Sequence, residues 1–350
     1  MSGDFSWRDA GRTIVFRHEA IAQSPELLRE HGFTPFELLS TPRALADAKP
    51  LASAAATIHE VSPGQVPDLA ATLLTNLGRR AENGPISPEI GPSAGVSLVA
   101  LGGGRVIDTA KAVAAVTGAR VAAIPTTMSG AEMTGIHRLP AGAESRASGL
   151  VRPQLVIADP VAMTGQPEAR LRASSMNALA HGADSLYTPF ANPAAEMAAL
   201  RGAALIAGAL DEAPARRDRT ALALGSILCG YAIDSALFGL HHVICQTLVR
   251  VCGSPHAETN AAILPCAVAY LAPRAPTSFA ALADVLGTDP DGLESRIREL
   301  GGDPAGLGAA GADRSKLDEA IEAMLERNEL AFTPDPPDRD ALAGLIERAW

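Results

Sequence analysis

The chain has 350 residues, of which 47% are hydrophobic and 19% charged, and its formal net charge is −10. That length exceeds one typical core, so two domains are expected, and the composition is that of an ordinary soluble globular protein. An acidic balance without any block of Lys or Arg argues against nucleic acid and anionic membranes as partners.

The N-terminus, MSGDFSWRDAGR, has acidic residues and lacks the apolar stretch of a secretory signal, so a cytoplasmic protein is expected. Thr13–Phe16 and Phe36–Ser40 read as strands, with a helix at Ile21–Glu30 between them. A short helix at Ala44–Ala48 is expected to stop at Pro50, followed by a strand at Ala56–Val61 and an amphipathic helix at Val66–Ala81. Ser97–Leu101, Ala119–Ile124 and Gln154–Ala158 are short apolar runs of the fully buried kind. Strands alternating with helices imply a parallel sheet covered on both faces. Glu82–Gly95, with three prolines and three glycines, reads as a surface excursion.

After Asp159-Pro160 the pattern changes to helices alone, at 168–187, 193–210, 217–234, 237–252, 256–271, 276–286, 313–327 and 338–348. The expected division is therefore 1–160, an α/β domain, and 161–350, an all-helical one. The four cysteines (Cys229, Cys245, Cys252 and Cys266) lack C-x-x-C spacing and read as buried free thiols.

Three groups of residues point to chemistry. Gly102-Gly103-Gly104 follows a buried strand and opens a helix at Val106–Val116, where bare backbone and a helix N-terminus suit a pyrophosphate or a plain tight turn. Arg105 places a cation at that N-terminus, which a bound anion would offset. Pro125–Glu132 follows the next strand with Thr126, Thr127 and Ser129, hydroxyls that serve either a ligand or turn capping. The third group lies on apolar helices. Asn177 and His181 are four apart, as are His242 and Gln246, so each pair shares a helical face, and His256 opens the next helix. Histidines gathered in this way serve as metal ligands or as acids and bases near neutrality. His241 reads as a satisfied core residue.

Taken in order, G-G-G-x-x-x-D-x-A-K (Gly102–Lys111), I-P-T-T (Ile124–Thr127), Asp159-Pro160, N-A-L-A-H (Asn177–His181) and His242 with Pro255-His256 form a recognisable series. Over nearly its whole length the chain resembles the iron-containing alcohol dehydrogenase superfamily. STPR (Ser40–Arg43), SGAEMT (Ser129–Thr134), LHHVICQTL (Leu240–Leu248) and PHAET (Pro255–Thr259) are similar to segments of its maleylacetate reductase branch. The resemblance implies a Rossmann-like N-terminal domain and a helical C-terminal domain, the dehydroquinate synthase-like fold. It also implies a nicotinamide cofactor in the cleft, NADH or NADPH, and a homodimer. The nucleotide contacts it implies fall on Ser40, Thr41 and Pro42, on Gly102, Gly103 and Gly104 with Arg105 and Asp108, and on Thr126, Thr127 and Ser129.

Departures from the family pattern bear on the reaction. The metal-binding branch carries an aspartate where Asn177 stands, while His181, His242 and His256 match its other ligands. Asparagine there is similar to the maleylacetate reductases, which work without a tightly held metal, so zinc or iron is not expected. Gln246 stands where another histidine is usual, Val249-Arg250 replace a glycine pair, Arg105 replaces a serine, and Arg146 stands where a lysine is common. The resulting expectation is NAD(P)H-dependent reduction of a small anionic carbonyl or enoyl substrate. His181, His242 or His256 would serve as acid, and Arg146 or Arg250 would pair the substrate carboxylate. The alternative is a lyase, isomerase or cyclase that uses the same histidines without hydride transfer. The end of the second strand carries no carboxylate, and Arg43 there suits a 2′-phosphate, so NADPH is expected to be tolerated.

Overall fold

A computed structural model of the chain describes residues 5–9, 11–82 and 97–350. Beyond Glu82, the expected surface excursion lies outside these residues. The chain divides into two compact units, Met1–Gly165 and Gln166–Trp350.

The first unit contains strands β1 (Phe5–Asp9), β2 (Arg12–Phe16), β3 (Phe36–Ser40), β4 (Thr57–Glu60), β5 (Ser97–Gly102), β6 (Val121–Pro125) and β7 (Leu155–Ala158). Its helices are α1 (Ala20–Glu30), α2 (Pro42–Ala46), α3 (Lys49–Ala54), α4 (Val66–Glu82), α5 (Gly104–Thr117) and α6 (Pro160–Met163). The strands form one sheet in the order β1-β2-β7-β6-β5-β3-β4. All neighbours are parallel except β1 and β2. Each face has its own core. On one, Leu73, Leu77, Val106 and Val113 pack with Leu98 and Ala100. On the other, Leu27, Leu28 and Leu51 pack with Phe36, Leu38 and Val99. Burial on both sides explains why β5, β6 and β7 are nearly unbroken apolar runs.

Two local expectations are corrected. The segment of β1 has no apolar run and was not expected as a strand; it is an edge strand, where charged residues are tolerated. Two helices replace the one expected at Ala44–Ala48. The first begins at Pro42 under a cap from Thr41, whose Oγ1 accepts the Ala44 N–H at 3.3 Å. Pro50 stops nothing, because it lies in the first turn of α3, where a missing N–H costs no hydrogen bond.

The order of the strands positions the candidate nucleotide site of this unit. From β3 the chain moves outward to β4, returns past β3 to β5, and then proceeds the other way through β6 and β7. Direction reverses between β3 and β5, and in open α/β sheets ligands bind outside the carboxyl ends at such a reversal. The ends there are Ser40 and Leu101, paired in register, with Gly102 paired to Pro125 alongside.

The second unit consists of α7 (Glu168–Ser185), α8 (Pro193–Asp211), α9 (Arg219–Ala236), α10 (Leu240–Val251), α11 (His256–Leu271), α12 (Pro276–Leu286), α13 (Leu293–Gly301), α14 (Leu317–Leu325) and α15 (Arg339–Glu347). Helix α13 was not expected; it is short and seats only Leu293, Ile297 and Leu300 in the core. Helix α7 is packed by α8, α9, α10, α11 and α13, so every residue from Ala173 to Ser185 is buried. A helix enclosed on all sides has no polar face, which explains its small Ala and Ser residues. It also places Asn177, His181 and Asp184 in the interior. All four cysteines are buried and free.

Candidate active site

In the first unit, the three segments expected to hold a nucleotide lie at the ends of adjacent parallel strands. A Cβ on Gly103 would come 3.0 Å from Thr127 Oγ1, and one on Gly104 would come 3.0 Å from Ser129 Cβ. Only bare backbone fits between these loops, and Thr126 N–H ties them by donating to Gly102 O at 3.0 Å. Gly103 gives α5 no side-chain cap, so the first amides of that helix are presented to an anion such as a pyrophosphate. The residues fit that group. The same packing makes a bulky side chain at Gly103 displace Thr127 as well as any phosphate.

Individual side chains differ in their availability. Arg105, Pro42 and Arg43 are exposed, while Thr126, Thr127 and Ser129 are half-buried. Ser40 is fully buried and its hydroxyl donates to Leu101 O at 2.8 Å, so it joins β3 to β5 and does not face a ligand. Thr41 is occupied as the α2 cap. Asp108 pairs with the fully buried Lys111 at 2.8 Å, and Lys111 also donates to Ala131 O and Ile136 O at 3.0 and 2.7 Å. Lys111 thereby moors the loop after β6 to α5, with Asp108 as its counter-ion, a role the motif alone did not reveal. The same loop carries Glu132, whose carboxyl is pushed up to about 7 by burial.

In the second unit, α7 and α10 bring His181 and His242 face to face, with ring centroids 4.9 Å apart and planes 18° from parallel. Both are buried, and among the described residues His181 Nδ1 and His242 Nε2 find no hydrogen-bond partner. Burial holds the His181 ring well below the ordinary histidine range, reinforced by His242, His241 and His256, so it stays neutral. His241 is driven down to about 3, first by burial and then by His242, and its Nε2 lies 3.3 Å from Asn260 O. His256 is the first, exposed residue of α11 and acts electrostatically on both. Asn177 is buried one turn before His181.

Asp184 belongs to this cluster and was not singled out from the sequence. It is fully buried, and its Oδ2 lies 2.8 Å from His242 Nδ1. Burial opposes its ionisation, but the His242 ring, His241 and the Tyr187 hydroxyl together hold it down to about 2. Its spacing of three from His181 was the available signal.

Arg327 is a second omission. Its Nη1 donates to Gln246 Oε1 at 2.9 Å, its guanidinium lies 5.5 Å from the Phe238 ring, and Phe238 is 5.8 Å from His242. Glu329 already neutralises it at 3.0 Å. Of the arginines expected to pair a carboxylate, Arg250 is exposed in the last turn of α10 and Arg146 is exposed on the three-ten turn Glu144–Arg146.

Comparison with known proteins agrees with this arrangement. The family model described as Fe-containing alcohol dehydrogenase family, C-terminal, matches residues 172–350, and that described as Iron-containing alcohol dehydrogenase matches residues 90–160. The maleylacetate reductase of Burkholderia cepacia is 32% identical over 345 residues, covering 96% of this chain and 95% of its own. That of Rhizobium sp. (strain MTP-10005) is 32% identical over 99% of this chain and 97% of its own. Among solved structures, the maleylacetate reductase of Agrobacterium tumefaciens superposes with a TM-score of 0.79 at 30% identity, over 100% of this chain and 99% of that one. An iron-containing alcohol dehydrogenase of Corynebacterium glutamicum gives 0.82 at 29% identity, over 96% and 94%. A nucleotide-binding parallel sheet followed by a helical unit with buried histidines defines an NAD(P)H-dependent oxidoreductase. The chain belongs to the iron-containing alcohol dehydrogenase superfamily, in its maleylacetate reductase-like branch.

Proposed function

We propose that the protein reduces a small anionic carbonyl or enoyl substrate of the maleylacetate type, without a tightly held metal. The observation that carries the reading is the stacked pair His181 and His242, with two buried ring nitrogens that find no partner among the described residues. Such nitrogens are costly to bury unless a ligand completes them. The nicotinamide, when bound, supplies the hydride for an electrophilic carbon. The chain must then hold the substrate oxygen and deliver a proton. His181, held neutral, is suited to hydrogen-bond that oxygen, and His242, backed by the Asp184 carboxylate, is suited to carry the proton.

In kind, His181, His242 and His256 would suit a divalent cation; in charge they do not. Asn177 is neutral, and the buried Asp184 carboxylate is committed to Tyr187, His242 and backbone amides. Asp184, His241 and His242 do place one donor atom each within 4.8 Å, but on the Nδ1 side, where these groups bond one another. An anionic ligand is what most strengthens a divalent site in a low-dielectric interior. The expected behaviour is NADPH or NADH oxidation with maleylacetate as probe, substoichiometric zinc and iron by elemental analysis, and turnover unaffected by EDTA. Stoichiometric metal with EDTA-sensitive turnover refutes metal independence. Substrate consumption without cofactor oxidation replaces the reductase with a lyase, isomerase or cyclase. The protein is further taken to be a cytoplasmic homodimer, which light scattering of the purified chain checks for assembly.

A further inference from the structure

The end of α7 and the start of α10 form a mount for one ring. Helix α10 has no side-chain cap of its own at Gly239. Asp184 supplies the cap from the other helix: its Oδ2 accepts the backbone N–H groups of Gly239 and His242, each at 3.2 Å, along with the His242 ring at 2.8 Å. Its Oδ1 accepts the Tyr187 hydroxyl at 2.5 Å, and the Tyr187 oxygen in turn accepts Leu240 N–H at 2.8 Å. A carboxylate at a helix N-terminus is favourable in itself. The approach is close enough that a Cβ on Gly239 would lie 2.6 Å from Tyr187 Oη. The turn before it holds Leu237 at a φ of 58°, and Thr188 Oγ1 donates to Ala236 O beside it. Positive φ at a branched residue persists only where its surroundings over-determine it.

We infer that Asp184 and Tyr187 are positioning residues that hold His242 in the tautomer with hydrogen on Nδ1, so that Nε2 is the nitrogen offered to the substrate. The inference deepens the reductase reading and rests on it for the role of that substrate. Asp184 Oδ2 already accepts two backbone N–H groups and is an acceptor to the ring as well, so Nδ1 must carry the hydrogen; Nε2 is then the nitrogen on which the ring takes up the proton it hands to the substrate. The neighbouring ring agrees. His241 Nε2 faces a carbonyl, Asn260 O, and must donate to it, which leaves its Nδ1 an acceptor 3.4 Å from His242 Nδ1. One assignment of protons therefore satisfies Tyr187, Asp184, His241 and His242 together, and the unpaired atom is the buried His242 Nε2. The result resembles a base oriented by a third group, with the orienting carboxylate serving also as a helix cap.

The test is nitrogen NMR of histidine-labelled full-length protein combined with steady-state kinetics. His242 should show a protonated, exchange-protected Nδ1, with Nε2 bare whenever the ring is neutral. Asp184→Asn should keep that tautomer, because two backbone N–H groups demand the amide oxygen on the same side, yet lower kcat on the order of tenfold or more. Tyr187→Phe, the milder change, should speed exchange of the Nδ1 hydrogen and lower kcat several-fold, with the dissociation constant for NADPH unchanged. A wild-type neutral ring with its hydrogen on Nε2 and none on Nδ1 overturns the inference. So do both variants if they leave the ring signals and kcat at wild-type values. The tautomer is read without turnover. If it is found in a protein that reduces no probe, the reductase reading fails and the mount stands.

Discussion

Replacing Glu132 by Gln should change how stability depends on pH while leaving the shape of the site intact. Glu132 is fully buried, with Oε1 unpartnered and Oε2 3.5 Å from Ser129 Oγ. Burial raises its ionisation from 4.5 to about 7, against the lowering effects of a backbone hydrogen bond and of Lys111. Between these values the folded chain keeps a proton that the unfolded chain has released, so folding loses stability as pH rises. The contribution is fully present below 4.5 and is lost as pH rises through about 7. At about 1.4 kcal/mol per pH unit, that interval amounts to roughly 3 kcal/mol. Glutamine is neutral throughout and should not show the loss. In urea unfolding of both proteins from pH 4.5 to 8, the variant should gain about 3 kcal/mol on the wild type across the range. The comparison cancels every other titrating group. A difference between the two that does not vary with pH refutes the reasoning, because it would mean Glu132 is ionised in the fold throughout.

Two further predictions concern the cofactor and the altered histidine position. Arg43→Ala, exposed in the first turn of α2 just after β3, should weaken NADPH by about tenfold and leave NADH unchanged in fluorescence titration, as loss of one charge-assisted contact implies. An unchanged preference would point instead to Glu60, which is in register with Ser40 on the next strand. Gln246→His should place an ionisable ring beside Arg327 and add a limb to the pH profile of kcat; an unchanged profile leaves Gln246 as packing only.

Much of this protein was legible in the residue order. The buried strands at 97–101 and 154–158 announced themselves because a sheet covered on both faces requires unbroken apolar runs, a local property of the chain. The glycine turn was equally plain, since only residues without side chains pass between Thr127 and Ser129. Asn177, His181 and His242 stood out because polar groups within apolar helical stretches need a reason. The tertiary structure decided what those groups do. Asp184 looked like any helical carboxylate until the first turn of α10 was set against it, 58 residues away in the chain. Ser40 and Asp108 looked like ligand contacts, but the first is spent on Leu101 O and the second on Lys111, whose burial no local pattern reveals. Periodicity reports which face of an element is buried. Which polar atoms find each other there depends on the packing of elements distant in sequence, and that pairing leaves the ring nitrogens His242 Nε2 and His181 Nδ1 without a partner among the described residues.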